Sequence, residues 1–214
     1  TYLDVGGIVG AMDGGHLLQC ADTGDVTCGD LGQAGGILGS GSAVTISSCF
    51  ATGAVASHSG GHGSAGIASC LESSSLIEQC YFGGSLPSGD QRAAIVITPS
   101  DSTVTSTYYP DSLSTNFTNI GATKLTEAQM KTQSSYSDWD FDGTWTFVEG
   151  ENNGYPTLRV FHPTWDGVVP TFDRAPFSPG CQDVTVVFDT QGNVFESVQG
   201  LAEGQYITGA YDSE

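Results

Sequence analysis

One pattern recurs four times and limits what this chain can build. Gly6-Gly7-Ile8-Val9-Gly10 leads to Leu17-Leu18-Gln19-Cys20, then to Thr23-Gly24-Asp25-Val26. Gly35-Gly36-Ile37-Leu38-Gly39 leads to Ile46-Ser47-Ser48-Cys49, then to Thr52-Gly53-Ala54-Val55. Ala65-Gly66-Ile67 leads to Ile77-Glu78-Gln79-Cys80 and Gly83-Gly84-Ser85-Leu86. Ala93-Ala94-Ile95 leads to Val104-Thr105-Ser106-Thr107 and decays through Leu113. From the leading Ile to the Cys, or to Thr107, the steps are 12, 12, 13 and 12 residues; between successive Cys positions they are 29, 31 and 27. Length variation thus sits in the connection, as a stacked repeat tolerates.

Each repeat carries two or three apolar side chains per strand, too few to fold alone. Stacking at about 4.8 Å pairs every coil with its neighbours. The expected fold is therefore all-β, a β-solenoid of about four coils over residues 1–122. Ile8, Ile37, Ile67 and Ile95 form one expected interior ladder, and Leu17, Ile46, Ile77 and Val104 a second. Val26, Val55, Leu86 and Leu113 form a third, and the Gly pairs suit corners where a Cβ does not fit. The competing reading of this Gly- and Ser-rich stretch is a flexible linker, which three ladders in shared register oppose.

The GGIVG opening, the aliphatic-x-x-Cys step and the Thr-Gly-x-Val segment resemble the GLUG repeat of bacterial surface proteins, haemagglutinin-like adhesins and some secreted peptidases. Residues 5–55 match best; the third repeat lacks the second opening Gly, and the fourth keeps only the apolar frame. The resemblance reaches to about residue 161. It implies architecture and an extracellular setting, and brings no catalytic motif with it.

After Leu113 the register ends. Leu125 to Met130 reads as one or two helical turns with Thr123 or Thr126 as N-cap, inside a capping segment spanning 123–161. Met130, Trp139, Phe141, Trp145 and Phe147 are large enough to seal the open end of the last coil. The rival reading of these aromatics is a sugar-stacking platform. Residues 162–182 hold four Pro and read as a linker. Residues 183–214 read as a strand, a turn and a weakly alternating segment. They resemble the opening half of a β-grasp-like Listeria–Bacteroides-type repeat, with Asn193 where a second Gly is usual, so the chain is expected to belong to a longer polypeptide.

Charge narrows the partners. With 24 Asp+Glu against 5 Lys+Arg, the net charge is −19 over 214 residues. Nucleic acid is excluded because a phosphate backbone needs a basic patch, and anionic membrane surfaces are disfavoured likewise. No apolar run of about 18 residues suggests a membrane span, and the first residues show no charged-then-apolar leader pattern, so a mature chain or an excerpt of one is expected.

Six cysteines, Cys20, Cys28, Cys49, Cys70, Cys80 and Cys181, allow fifteen pairings. Cys20, Cys49 and Cys80 share one repeat position and should stack. Reduced thiols are the preferred reading, with one inter-coil bridge within reach. No C-x-x-C supports thiolate zinc. His58 and His62 lie in a Gly-rich loop without the helix or the Glu of a zincin. No G-x-S-x-G places a nucleophile. A polysaccharide lyase or hydrolase needs aligned carboxylates, but Arg92 is the only cation of the repeats. Asp13, Asp22, Asp25, Asp30, Glu72, Glu78 and Asp90 read as scattered over turns. Thr45, Thr103 and Thr105 are too irregular for an ice-binding ladder. No cofactor is expected, calcium at Asp138, Asp140 and Asp142 being the one candidate. Asn116-Phe117-Thr118 is a glycosylation sequon only in a host with that chemistry.

The resulting expectation is a non-catalytic, adhesin-like module of a secreted or cell-surface bacterial protein. Its partner would be an unidentified glycan or protein on a host or neighbouring cell. The alternative is a glycan-active β-helix enzyme, or the accessory region of a secreted peptidase. A cleft with convergent carboxylates on one face would favour the enzyme.

Overall fold

The computed structural model describes residues 3–29, 32–58, 63–87, 91–162, 185–188 and 195–199. The chain divides into two compact units, Thr1–Val160 and Phe161–Glu214. The first is a parallel β-solenoid of four rungs, about three full turns.

Rung one comprises β1 (Asp4–Gly6), β2 (Val9–Leu18), β3 (Ala21–Asp22) and β4 (Val26–Cys28). Rung two repeats this as β5 (Gln33–Gly35), β6 (Leu38–Ser47), β7 (Phe50–Ala51) and β8 (Val55–Ser57). Rung three has β9 (Gly63–Ala65), β10 (Ala68–Glu72), β11 (Leu76–Glu78) and β12 (Tyr81–Phe82). Rung four has β13 (Arg92–Ala93), β14 (Val96–Pro99), β15 (Thr103–Thr105) and β16 (Thr107–Pro110). Three main faces result. The first is β1-β5-β9-β13. In the second, β6 pairs with β2 on one side and with β10 and β11 on the other, and these continue to β14 and β15. The third is β3-β7-β12-β16, extended by β17 (Ala122–Leu125), while β4 and β8 form a short fourth pair.

The ladders follow from this register. Leu17 pairs with Ile46, Ile46 with Ile77 and Ile77 with Val104. The amides of Ile8, Ile37 and Ile67 each donate to the carbonyl of the next Ile in the column. Val26 pairs with Val55, Leu86 is buried beyond them, and Leu113 packs against the same core. One expectation needs correcting. Ile37, Ile67 and Ile95 are fully buried, but Ile8 is 43% exposed because no described rung lies on its outer side.

The single 13-residue step has a visible cause. Glu72 pairs with Ser42 but Leu76 pairs with Thr45, so the extra residue lies in Ser73–Ser75. Ser73 and Ser74 take φ of 55° and 60°, left-handed conformations that absorb the insertion. The buried Ser75 hydroxyl then accepts from Val44 N at 3.1 Å and donates to Glu72 O at 2.7 Å, partnering a core amide that the broken strand leaves over.

A second correction concerns Trp139, Phe141, Trp145 and Phe147. They do not seal the last coil. They pack laterally on Phe50, Tyr81 and Tyr108, the outward residues of β7, β12 and β16. The end of rung four is closed instead by the segment that leads into β17. Asn116 Oδ1 accepts from Arg92 N at 2.7 Å and Asn119 Oδ1 from Ala94 N at 2.6 Å. Leu113 and Ala122 cover the exposed end of the core. Polar closure of this kind blunts a sheet edge without adding another apolar face.

Between these layers, α1 (Glu127–Met130) starts at Thr126, which with Gln129 forms a reciprocal capping box. A short antiparallel pair, β18 (Trp145–Thr146) and β19 (Thr157–Leu158), completes the flank. In the second unit, β20 (Thr185–Phe188) and β21 (Phe195–Gln199) pair antiparallel, with a register shift between Val187 and Phe188. From residue 163 on, the expected linker lies outside the described residues, as does the rest of the expected module.

Candidate functional site, an acidic groove beside an aromatic flank

The first and second faces meet at a corner kept narrow by glycine. A Cβ on Gly39 would lie 2.4 Å from Gly10 O and 2.8 Å from Val5 N, too close to be accommodated. Outside this corner runs an open groove of about 610 Å³. Asp4 and Gln33 line one wall; Asp13, Ser40, Cys70 and Glu72 line the other.

Hydrogen bonds tie the walls together. The Asp4 carboxylate accepts from Gln33 Nε2 and from Ser40 Oγ, both at 2.7 Å. Gln33 Oε1 in turn accepts from Ser69 Oγ at 3.4 Å, so one chain of polar side chains crosses three rungs. Asp13 pairs with Ser42 and Ser42 with Glu72, which puts two exposed carboxylates in one column. That corrects the expectation of scattered acids for these two; Asp22 pairs with Ala51 and Glu78 with Ser47 and Thr105, while Asp30 and Asp90 lie outside the described residues. Asp13 and Glu72 each follow their leading Ile by five residues, a signal that counting from the Ile would have caught. Their backbones are two rungs apart, about 9.6 Å. Burial, helped by the charges of Glu72 and Asp4, pushes the Cys70 thiol above its ordinary range, so it stays protonated and weakly nucleophilic.

The other candidate residues are dispersed. Cys20, Cys49 and Cys80 stack as free thiols on the inner side of the third face, and Cys28 and Cys70 are free as well. Cys181 and His62 lie outside the described residues, while His58 Nδ1 sits 3.0 Å from Cys28 O. Asp140 accepts from Gly143 N at 2.9 Å and Asp142 N at 3.0 Å, which holds its carboxyl below the usual range. Asp138 turns instead toward Ser106 Oγ, at 3.5 Å. Among the described residues no three His, Cys, Asp or Glu side chains converge as around an ion.

The flank is a closed cluster of rings. Trp139 stacks on Trp145 with centroids 4.1 Å apart, and Phe50 stacks on Tyr81 at 5.1 Å. Trp139 and Trp145 are buried, so neither offers a free face to a sugar. Tyr81 OH donates to Pro156 O at 2.7 Å, and Asn152 Nδ2 donates to both of these oxygens. Burial raises the Tyr81 phenol far above its ordinary range, keeping it neutral. Tyr81 and its column carry a sequence signal separate from the aliphatic ladders: an aromatic follows the Cys position in three of four repeats.

No helix among the described residues is long and apolar enough to cross a membrane. Compared with known proteins, the chain matches no family model, no curated protein and no solved structure.

Proposed function

We propose that this chain is a non-catalytic, adhesin-like module of a secreted or cell-surface protein. Its stiff coil stack would present the acidic groove to a glycan or protein on another surface. One observation carries the reading: every main face keeps its strand pairing across four rungs, braced on one side by a buried aromatic flank. Such a stack resists bending because each strand is hydrogen-bonded to its neighbours. The groove suits binding, with carboxylates, hydroxyls and an amide along its length. Its acidity favours ligands that carry amines, guanidinium groups or many hydroxyls.

A second reading keeps a place because Asp13 and Glu72 share a column with Asp4 opposite. That juxtaposition would serve a glycan-active β-helix enzyme, since glycoside hydrolysis uses a pair of carboxylates flanking the scissile bond. One experiment separates the two. The purified chain is presented to glycan and extracellular-protein arrays, and the same glycans are assayed for new reducing ends. The module reading expects retention that weakens in Glu72→Gln and Asp13→Asn, with no reducing ends. Reducing ends that disappear in Glu72→Gln would replace it with the enzyme.

A further inference from the structure

Three thiols stand on successive rungs. Cys20, Cys49 and Cys80 occupy the position that Thr107 fills on rung four, each directly after a residue in the left-handed region: Gln19, Ser48, Gln79 and Ser106. Each group reaches back to the carbonyl two residues earlier, Cys20 Sγ to Leu18 O at 3.4 Å and Cys49 Sγ to Ser47 O at 3.2 Å. Cys80 Sγ lies 3.1 Å from Glu78 O and Thr107 Oγ1 2.8 Å from Thr105 O. Each inner sulfur leans toward the preceding rung: Cys49 Sγ lies 3.3 Å from Cys20 N and 3.4 Å from Leu17 O, and Cys80 Sγ lies 3.4 Å from Cys49 N and 3.6 Å from Ile46 O. No other described cysteine has a thiol beside it in its column: Cys28 pairs with Ser57, and Cys70 with Ser40.

We propose that Cys20 and Cys49 form an inter-coil disulfide under oxidising conditions, so that this column is a redox-set staple holding the first coil to the second. Adjacent rungs set Cα atoms about 4.8 Å apart, within the roughly 4.4–6.8 Å that a disulfide spans. Cys20 and Cys80 are two rungs apart, about 9.6 Å, and cannot bridge. Three thiols therefore give one bridge and one remaining thiol. Exposure decides which. Cys20 is partly open to solvent on the outermost described rung, whereas Cys49 and Cys80 are wholly buried.

The chemistry balances with a low-molecular-weight disulfide as oxidant. Burial and the neighbouring Cys49 hold the Cys20 thiol above its ordinary range, so its thiolate is a minor species formed by loss of the proton to water. As the one solvent-accessible member of the column, it attacks one sulfur of that disulfide, expelling a small thiolate. Cys49 then loses its proton, its sulfur attacks Cys20 Sγ, and the second small thiolate leaves. Two protein S–H bonds become one S–S bond, and the small disulfide takes up both electrons as two thiols. The Cys80 thiol, which outweighs burial here, holds Cys49 below the ordinary thiol range and so favours the resolving thiolate. Burial pushes Cys80 itself well upward, which keeps it the spectator.

The test equilibrates the folded chain with glutathione at graded ratios of oxidised to reduced form. Free thiols are then alkylated and the peptides mapped by mass spectrometry, with circular dichroism verifying the fold. The expected result is a Cys20–Cys49 cross-link, Cys80 alkylated only after denaturation, and a higher Tm in the oxidised sample. Cys80→Ser should keep both the cross-link and the Tm difference; Cys49→Ser should abolish both. Two results overturn the proposal: Cys20 and Cys49 both free in the folded chain at the most oxidising ratio, or a Cys49–Cys80 bridge in their place.

Discussion

Ile46 and Trp145 are both fully buried, yet they are buried by different means. Ile46 lies within the coil stack, between Leu17 and Ile77, at a position that every rung fills with an aliphatic side chain. Trp145 lies outside the stack, wedged against nearby Trp139 and against Phe50 and Tyr81, whose rings come from distant parts of the chain. The coil interior is thin and repeated, so its loss is shared by neighbouring rungs. The flank is unrepeated, and a few large side chains carry it. Local repetition thus builds the rod, while long-range aromatic packing holds it on one side.

The largest expected effect is on the flank. Trp145→Ala should cost about 3–5 kcal/mol in urea unfolding, because a large cavity opens in a cluster with few ways to collapse. Trp145→Phe should cost much less, since the buried indole N–H has no hydrogen-bond partner to lose. If the two variants unfold at the same urea midpoint, the flank is not held together by packing.

Inside the coils, Ile46→Ala should cost about 2–5 kcal/mol. Leu17→Ala should cost less than Ile46→Ala, because among the described residues Leu17 has a paired neighbour on one side only and is already 8% exposed. Equal losses for both would show that the outermost described rung is as well covered as the second, and would break the distinction drawn from Ile8.

These differences explain what could be read in advance. The ladders were legible because each aliphatic recurs at a near-constant distance from the Cys position, and a solenoid converts such spacing directly into vertical contact. Ile8 escaped because spacing says nothing about which rung ends the pile. The flank was half legible: Trp139, Phe141, Trp145 and Phe147 stood out by size, but not the surface that receives them. That surface is the outward column Ala21, Phe50, Tyr81 and Tyr108, where β-strand alternation predicts solvent. In the groove, Asp13 and Glu72 were hidden by the polar Ser42 between them, which interrupts any run of like residues.

Coil and flank meet at Gly83. Where the first two repeats have Thr23 and Thr52, the third has a glycine, and a Cβ there would lie 2.6 Å from Tyr155 Cε2. Gly83→Ala should therefore destabilise by about 1–3 kcal/mol through overpacking. In a Tyr155→Ala background the same change should be nearly neutral, a non-additivity readable in a double-mutant cycle. Additive effects would mean that the third repeat lost its Thr for another reason.

The smallest effect is electrostatic and lies at the outer edge of the flank. Glu127 accepts from Tyr155 OH at 2.6 Å and pairs with Lys131 at 3.0 Å. The phenol first, and then the ammonium, hold its carboxyl below the ordinary value. A carboxyl depressed in the folded state contributes stability that is fully present above the unfolded value of about 4.3. That contribution fades as pH falls through the lower folded value. The side chain is 54% exposed, so solvent screening keeps the gain small, of the order found for surface pairs. Glu127→Gln should thus lower the urea midpoint slightly at pH 7, and the gap to wild type should close as pH drops below about 4. A gap that stays constant down to pH 2 would assign the effect to the amide's altered hydrogen bonding with Tyr155 rather than to charge.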